Sequence, residues 1–237
     1  MLILCDHRMP AQARLTLSGY GKVVDFTTEN ITYNAISGHP DIFFCPTPAG
    51  LIVAPNLPAA YLHILDQHSI GYFKGSFPVG REYPATAPYN SFVNNKFIIQ
   101  NPGFGDPVIR ELNPEPEIIA VKQGYVRCSL VPLPNNSFIT SDRGIEKSLK
   151  KHTLEILYVD PAPIRLDGFE HGFFGGVSGI FENKLFICGS LNYFQEKDTI
   201  KQFASRAGLQ LVELYEGPPA DVGTIIFLDP AKPGSSS

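Results

Sequence analysis

His39 and Asp41 are a pair of residues whose types and spacing suit proton transfer. An imidazole titrates near neutral pH, and an adjacent carboxylate orients it, so the pair could serve as a general acid and base. On an extended strand, residues two apart point to the same face, which would bring both groups together. The alternative is a turn, because His-Pro-Asp is also common in turns.

Cys128 is the candidate nucleophile, because its thiol begins an apolar strand and follows Arg127 in the chain. A neighbouring cation favours the thiolate, which is the reactive form of cysteine. The alternative is a buried strand cysteine that packs as a small apolar side chain. Cys45 and Cys188 lie later in their units and are assigned to the core.

Other polar residues could bind a substrate beside these groups. Asp221 could hold a cation, or it could cap a turn after two prolines. Asn90 could hydrogen bond to a ligand, or it could simply begin a strand. In the glycine-rich stretch 167–176, Glu170 and His171 could form a second acid and base pair, although a lone histidine is more often a structural polar residue.

The elements that must position these residues recur with a period of roughly 40–50 residues. Each unit is predicted as an apolar strand, a tight turn, a second strand, a helix and a returning strand. The first strands are predicted to begin at Asp41, Asn90, Cys128, Val177 and Val222. The fifth unit stops after its first strands, and residues 10–26 supply the helix and strand that it lacks.

Helical periodicity follows the second strand in most units. Helices are predicted over 58–67, 142–152 and 197–207, and Gly208 ends the last of them. In the second unit, four prolines between 102 and 116 leave room for only one helical turn.

This repeat predicts an α/β fold in which five ββαβ units form a five-bladed propeller over a single domain, residues 1–230. Pairing of the N- and C-terminal strands would close the ring and remove exposed strand edges. The alternative is an open α/β sheet. Residues 231–237 are predicted to be a flexible tail.

Composition excludes several classes of function. A net charge of −4 without a strong basic patch argues against nucleic acid as a partner. No segment approaches the roughly 20 apolar residues of a membrane span, and the N-terminus does not resemble a secretory signal. The four cysteines have no Cys-x-x-Cys or zinc-type spacing. We therefore expect a cytoplasmic protein with a small-molecule ligand, without a cofactor and without a metal site.

Five ββαβ units in order resemble the penteins, the guanidine-modifying superfamily of deiminases, dimethylarginine hydrolases and amidinotransferases. The stretch from Gly175 to Leu214 looks like the pentein unit in which a Gly-Gly pair opens a strand. An uncharacterised bacterial branch of that fold is similar in the pieces Gly38-His-Pro-Asp, Gly124-Tyr-Val-Arg-Cys-Ser, Gly172-Phe-Phe-Gly-Gly and Asp221-Val-Gly.

The resemblance implies a central channel lined by the first strands, with an active site at one mouth. It also implies a cysteine nucleophile in the last unit, a His-x-Asp pair and acidic residues that hold a guanidinium group. His39 and Asp41 match the His-x-Asp spacing. The last unit departs from the pattern, since no cysteine follows Cys188.

Two hypotheses follow. In the first, the protein is a cysteine-dependent hydrolase or transferase of a small amidine, guanidine or related C–N substrate, with Cys128, His39 and Asp41 as catalytic residues. Its candidate substrate-binding residues are Asp221, Glu170, His171, Asn90, Gly175, Gly176 and Ser178. In the second, it is a non-catalytic ring that binds a small molecule or a protein partner, because the penteins include a ribosomal anti-association factor that lacks the catalytic cysteine.

Overall fold

The computed structural model describes residues 1–230 as a mixed α/β structure with five three-stranded sheets. The predicted tail, residues 231–237, lies outside the described residues. In chain order the strands are β1 (Leu2–Asp6), β2 (Lys22–Phe26), β3 (Phe44–Thr47), β4 (Gly50–Val53), β5 (Tyr72–Lys74), β6 (Phe92–Val93), β7 (Phe97–Gln100), β8 (Glu117–Ala120), β9 (Leu130–Leu133), β10 (Ser137–Thr140), β11 (Ile156–Tyr158), β12 (Ser178–Phe181), β13 (Lys184–Ile187), β14 (Gln210–Glu213) and β15 (Ile226–Leu228).

One pairing scheme is repeated in all five sheets. The first strand of a sheet pairs antiparallel with the second, and the second pairs parallel with the third after a helical crossover. The crossover is needed because parallel neighbours cannot be joined by a hairpin. The predicted ββαβ repeat is therefore confirmed.

The helices lie close to their predicted positions. Their bounds are α1 (Ala11–Ser18), α2 (Ala59–Gln67), α3 (Pro107–Leu112), α4 (Val126–Ser129), α5 (Arg143–Lys150) and α6 (Lys197–Arg206). The Asp142 side chain accepts a hydrogen bond from the Ile145 N–H and thereby caps α5. Asp106 caps α3 in the same way. The short α4, which the sequence did not predict, precedes β9.

The two ends of the described chain meet in one sheet. β1 lies between β15, which is antiparallel to it, and β2, which is parallel to it. Leu2 is opposite Leu228, and Leu4 is opposite Ile226. The predicted pairing of the terminal strands is confirmed, and the alternative of one open sheet is wrong because the strands form five separate sheets.

The first strands begin later than predicted. β3 begins at Phe44 rather than at residue 41, and β9 begins at Leu130 rather than at residue 128. β6 and β15 also begin a few residues later than predicted. The polar residues that were predicted on these strands instead lie in turns just before them. Side chains in a turn do not have to alternate between the two faces of a sheet.

Buried apolar residues join neighbouring sheets. One cluster contains Leu4 from β1, Phe44 from β3 and Val93 from β6, all at most 1% exposed. β12 also contacts β15, and β3 contacts β6. This packing fixes the turns ahead of the first strands relative to one another. Among residues 1–230, no helix has the length and hydropathy to cross a membrane.

Candidate active site

His39 and Asp41 flank the start of a buried helical turn. Residues Pro40–Ile42 form a 3-10 turn in which Pro40 is the first residue, so the predicted extended strand is wrong here. His39 and Asp41 are each 1% exposed. Neither imidazole nitrogen has a hydrogen-bond partner, and the Asp41 Oδ1 atom has none either. Buried polar atoms without partners are costly, so a ligand that hydrogen bonds to them would remove that cost.

The thiol of Cys128 lies against this turn. Its Sγ donates to the Asp41 Oδ2 atom at 2.9 Å and accepts from the Asn90 Nδ2 atom at 3.1 Å. The Asn90 Oδ1 atom accepts from the Cys128 N–H, which fixes both side chains. One His39 ring nitrogen, one Asp41 oxygen and the Cys128 Sγ all lie within 4.8 Å of one another. The structure thus brings the predicted nucleophile and the predicted acid and base pair together.

The surroundings of Cys128 oppose ionisation of its thiol. Burial raises its pKa well above the ordinary value, and the negative charges of Asp41 and Asp221 raise it further. The charge of Arg127 attracts the thiolate, as expected, but burial and the two carboxylates outweigh it. The Arg127 guanidinium donates to the Leu130 carbonyl and lines a different cavity, and burial lowers its own pKa.

Asp221 is a second buried carboxylate at the site. It lies in the loop ahead of β15, where Oδ2 accepts from the Phe173 N–H and Oδ1 accepts from the Gly223 N–H. Its Oδ1 atom is 3.8 Å from the His39 Nε2 atom. Burial raises the pKa of Asp221, although His39 and the two N–H donors oppose this effect. A cation that enters the site would therefore stabilise the ionised form of Asp221.

The loop after Asp221 has a strained backbone. Thr224 has a φ of 61°, which is rare for a β-branched residue, and its Oγ1 atom donates to the Asp41 Oδ2 atom at 2.8 Å. Gly223, with a φ of 65°, leaves no space for a Cβ atom, which would overlap the His39 side chain. Strain of this kind concentrates at functional sites.

Asp6 lies beside His39 and is held there by Arg8, and neither residue was predicted. Asp6 ends β1, and its Oδ1 atom accepts from the Arg8 Nε atom at 2.9 Å. Its Oδ2 atom lies 3.7 Å from the His39 Nε2 atom. Burial tends to raise the Asp6 pKa, but the hydrogen bonds from Arg8 and the charge of His39 outweigh burial and lower it. The signal in the sequence was a charged run, Asp6-His7-Arg8, directly after an apolar strand.

The contacts of Gly175, Gly176 and Ser178 hold the backbone around the site in place. The Gly176 N–H donates to the Cys128 carbonyl at 2.7 Å, and its carbonyl accepts from the Thr224 N–H. The Ser178 hydroxyl donates to the Gly175 carbonyl. These contacts are with the polypeptide and not with the cavity.

We expect Gly176→Ala to destabilise the protein by about 1–3 kcal/mol, as overpacked substitutions do. An added Cβ would lie 2.1 Å from the Asp221 Oδ1 atom, so the carboxylate would have to move. Gly71→Ala is the matched control, because nothing lies within 4 Å of its added Cβ. Urea unfolding of both variants measures the difference. Equal stabilities would show that Asp221 is not held against Gly176.

Of the polar groups at the site, His39, Cys128 and Asp221 line a cavity of about 230 Å³, whereas Asp41 does not. The lining residues of the cavity are Tyr33, Ile36, His39, Ile42, Tyr125, Cys128, Leu166, Phe169, Glu170, His171, Phe173 and Asp221. Asn90 does not line the cavity, but its side chain hydrogen bonds to Cys128. Among residues 1–230, no ion pair joins Glu170 to His171, whose Nδ1 atom is 2.9 Å from the Gly172 carbonyl.

The thiol, carboxylate and imidazole are also the donor types that zinc prefers. His39, Asp41 and Cys128 could therefore hold a thiophilic divalent metal. The sequence did not predict such a site, because its donors are far apart in the chain and converge only through the fold.

Comparison with solved structures identifies the fold. An agmatine deiminase from C. jejuni is 11% identical with a TM-score of 0.48, covering 74% of this chain and 68% of that chain. An amidinotransferase from Microseira wollei, of the saxitoxin biosynthetic pathway, is 14% identical with a TM-score of 0.47, covering 93% and 86%. DDAH from Pseudomonas aeruginosa, a cysteine-to-serine mutant complexed with citrulline, is 9% identical with a TM-score of 0.50, covering 90% and 91%.

The likeness to DDAH shows that the two chains share a fold, as the predicted resemblance to the penteins implies. No curated protein matches this chain. Residues 4–226 match the model of a family of unknown function, DUF6873, and the chain belongs to that family.

Proposed function

We propose that this protein is a cysteine-dependent enzyme that acts on the amidino carbon of a small cationic amidine or guanidine. The observation that carries the proposal is the convergence of thiol, imidazole and carboxylate within 4.8 Å, beside a cavity that His39, Cys128 and Asp221 line. A nucleophile beside a base, with a buried anion for the substrate cation, is the arrangement that covalent catalysis requires.

The proposal includes an arrangement for the whole domain. Residues 1–230 form one five-bladed propeller, and the turns ahead of the first strands meet at one mouth of its central channel. The repeated pairing scheme and the shared sheet of β1 and β15 support it. The four cysteines, all free and buried, fit the cytoplasmic setting that the sequence predicts.

A cationic substrate would activate the nucleophile. In the resting site two carboxylates oppose ionisation of the thiol. Opposite unit charges about 4 Å apart attract by roughly 4 kcal/mol at an effective dielectric constant near 20. That energy corresponds to about three pKa units. A bound amidinium beside Asp41 and Asp221 would therefore lower the thiol pKa toward neutrality, whereas a neutral ligand would not.

The covalent step then proceeds without net gain or loss of protons. The Cys128 thiol proton passes to the His39 and Asp41 pair, and the thiolate sulfur forms a bond to the amidino carbon. The carbon–nitrogen bond to the leaving amine breaks, and the pair returns a proton to that nitrogen. Water or an amine then gives a proton to the pair as it attacks the amidino carbon. The carbon–sulfur bond breaks, and the sulfur takes that proton back, which gives a hydrolase with water or a transferase with an amine.

We expect acetamidine to raise the melting temperature of the protein, whereas neutral acetamide has no effect. A ligand that binds only the folded state stabilises it by about 2.7 kcal/mol at 100 times its Kd. Asp221→Asn should abolish the response, and the control Asp66→Asn, which alters an exposed carboxylate on α2, should retain it. Differential scanning fluorimetry measures all four cases.

An equal response to acetamidine and acetamide would contradict a cation site. Stabilisation by acetamidine without turnover of any amidine, together with an unreactive Cys128, would instead favour the non-catalytic binding protein.

A further inference from the structure

The wall of the cavity is mostly apolar, whereas one end carries the polar groups. Most of the lining side chains are aromatic or aliphatic, namely Tyr33, Ile36, Ile42, Tyr125, Leu166, Phe169 and Phe173. The two tyrosine hydroxyls lie 3.2 Å apart, and that of Tyr125 also hydrogen bonds to Thr86. Because these hydroxyls already have partners, the tyrosines offer the cavity chiefly their apolar rings.

Within residues 1–230, the basic side chains of the cavity lining are two histidines, His171 and His39, and His39 already lies beside the carboxylates of Asp6 and Asp221. No lysine or arginine of this range lines the cavity. Arg8 is engaged by Asp6 and by the backbone carbonyls of Asn34 and Ala35. With Arg165 it lines a neighbouring cavity of about 190 Å³, which meets the first at Leu166 and Asp221. A substrate carboxylate in the first cavity would face Asp221 and Glu170, and an anion buried without a partner is strongly disfavoured.

Phe169 adds an exposed aromatic ring to the cavity. It is 52% exposed, and its ring centroid is 5.9 Å from that of Tyr33. It follows Gly168, whose φ of 81° turns the loop. Exposed apolar side chains that continue a concave apolar surface mark ligand sites.

From this lining we infer that the substrate carries an apolar alkyl or aryl substituent next to its amidino group and has no carboxylate. The inference rests on the proposed function and narrows its substrate class. The cavity is smaller than the ~300–1,000 Å³ of typical ligand pockets, so the substituent is about the size of one ring or a short chain. In this arrangement the amidinium faces Asp221 and Cys128, and the substituent contacts Phe169 and the tyrosine rings.

Binding of four probes to the wild-type chain tests the inference by calorimetry: benzamidine, agmatine, arginine and the neutral isostere benzamide. We expect benzamidine to bind at least tenfold more tightly than agmatine or arginine, and benzamide to bind more weakly than benzamidine. Arginine or agmatine binding as tightly as benzamidine would overturn the inference and leave the proposed function intact. Equal binding of benzamide and benzamidine would support the apolar wall but contradict the proposed function. Binding of none of the four would contradict both.

Phe169→Ala distinguishes contact with the substituent from contact with the cation. We expect it to weaken benzamidine binding at least fivefold and to leave acetamidine binding unchanged, because acetamidine has no group that reaches the ring. Phe73→Ala on β5, where the ring is 45% exposed and does not line the cavity, is the matched control and should change neither affinity. An equal loss for both ligands, or no loss for benzamidine, would show that Phe169 does not contact the substituent.

Discussion

Replacing Cys128 with serine is expected to lower turnover of an amidine substrate by at least ~10⁴-fold, which is the scale of losses when a catalytic nucleophile is removed. A serine hydroxyl keeps the size of the side chain and can donate to Asp41, as the thiol does at 2.9 Å. It cannot ionise near neutral pH, even with a cation bound beside it. Steady-state kinetics on the purified variant measures the effect.

The control for this variant is Cys45→Ser. Cys45 is as buried as Cys128 but lies in β3, where its Sγ atom is 3.8 Å from the Ser91 carbonyl. We expect this variant to keep its activity even if its melting temperature falls. Turnover by Cys128→Ser within tenfold of wild type would rule out nucleophilic catalysis by this residue.

Replacing Asp41 with asparagine is expected to change two properties in opposite directions. The Asp41 charge is one cause of the raised Cys128 pKa, so its removal should lower that pKa and speed alkylation of the thiol at neutral pH. Turnover should nevertheless fall by about 10³-fold or more, because the acid and base pair loses the group that accepts the thiol proton.

The pH dependence of iodoacetamide labelling measures the first effect. A thiol is alkylated as its thiolate, so the wild-type rate should keep rising with pH into the alkaline range. In Asp41→Asn the rate should level off at a lower pH, and in the exposed control Asp66→Asn it should follow the wild type. Identical pH profiles for Asp41→Asn and the wild type would mean that Asp41 does not control the thiol.

The repeat and the helices could be predicted because their signals are local. The apolar stripe of α6 and the cap of α5 lie within about ten residues, and the structure reproduces both almost to the residue. The starts of β3 and β9 could not be placed from composition. The apolar residues that precede them belong to buried turns, and burial alone does not distinguish a turn from a strand.

The candidate site could be predicted only as separate residues. Cys128 and Asp41 are 87 residues apart in the chain, and Thr224 and Asp41 are 183 apart. Contacts at such separations depend on how the five sheets pack, so the cluster of thiol, imidazole and carboxylate was a hypothesis until the fold was known.

The same limit explains the two main differences from the sequence analysis. Arg127 is adjacent to Cys128 in the chain, yet its guanidinium lines a different cavity, and burial together with Asp41 and Asp221 raises the thiol pKa despite this neighbouring cation. Asp6 and Arg8 were not predicted at the site, because only the fold brings the Asp6 Oδ2 atom to 3.7 Å from the His39 Nε2 atom.

The most direct test of a cation-activated Cys128 compares two alkylating reagents of nearly equal size, 2-chloroacetamidine and 2-chloroacetamide. With either reagent the thiolate displaces chloride, but only the amidine is positively charged. Each rate is divided by the rate with glutathione, and mass spectrometry locates the label. We predict that the amidine labels Cys128 at least tenfold faster than the neutral amide on this scale. Labelling of Cys128 by the amide at an equal or higher relative rate, or labelling of Cys5, Cys45 or Cys188 instead, would contradict the prediction.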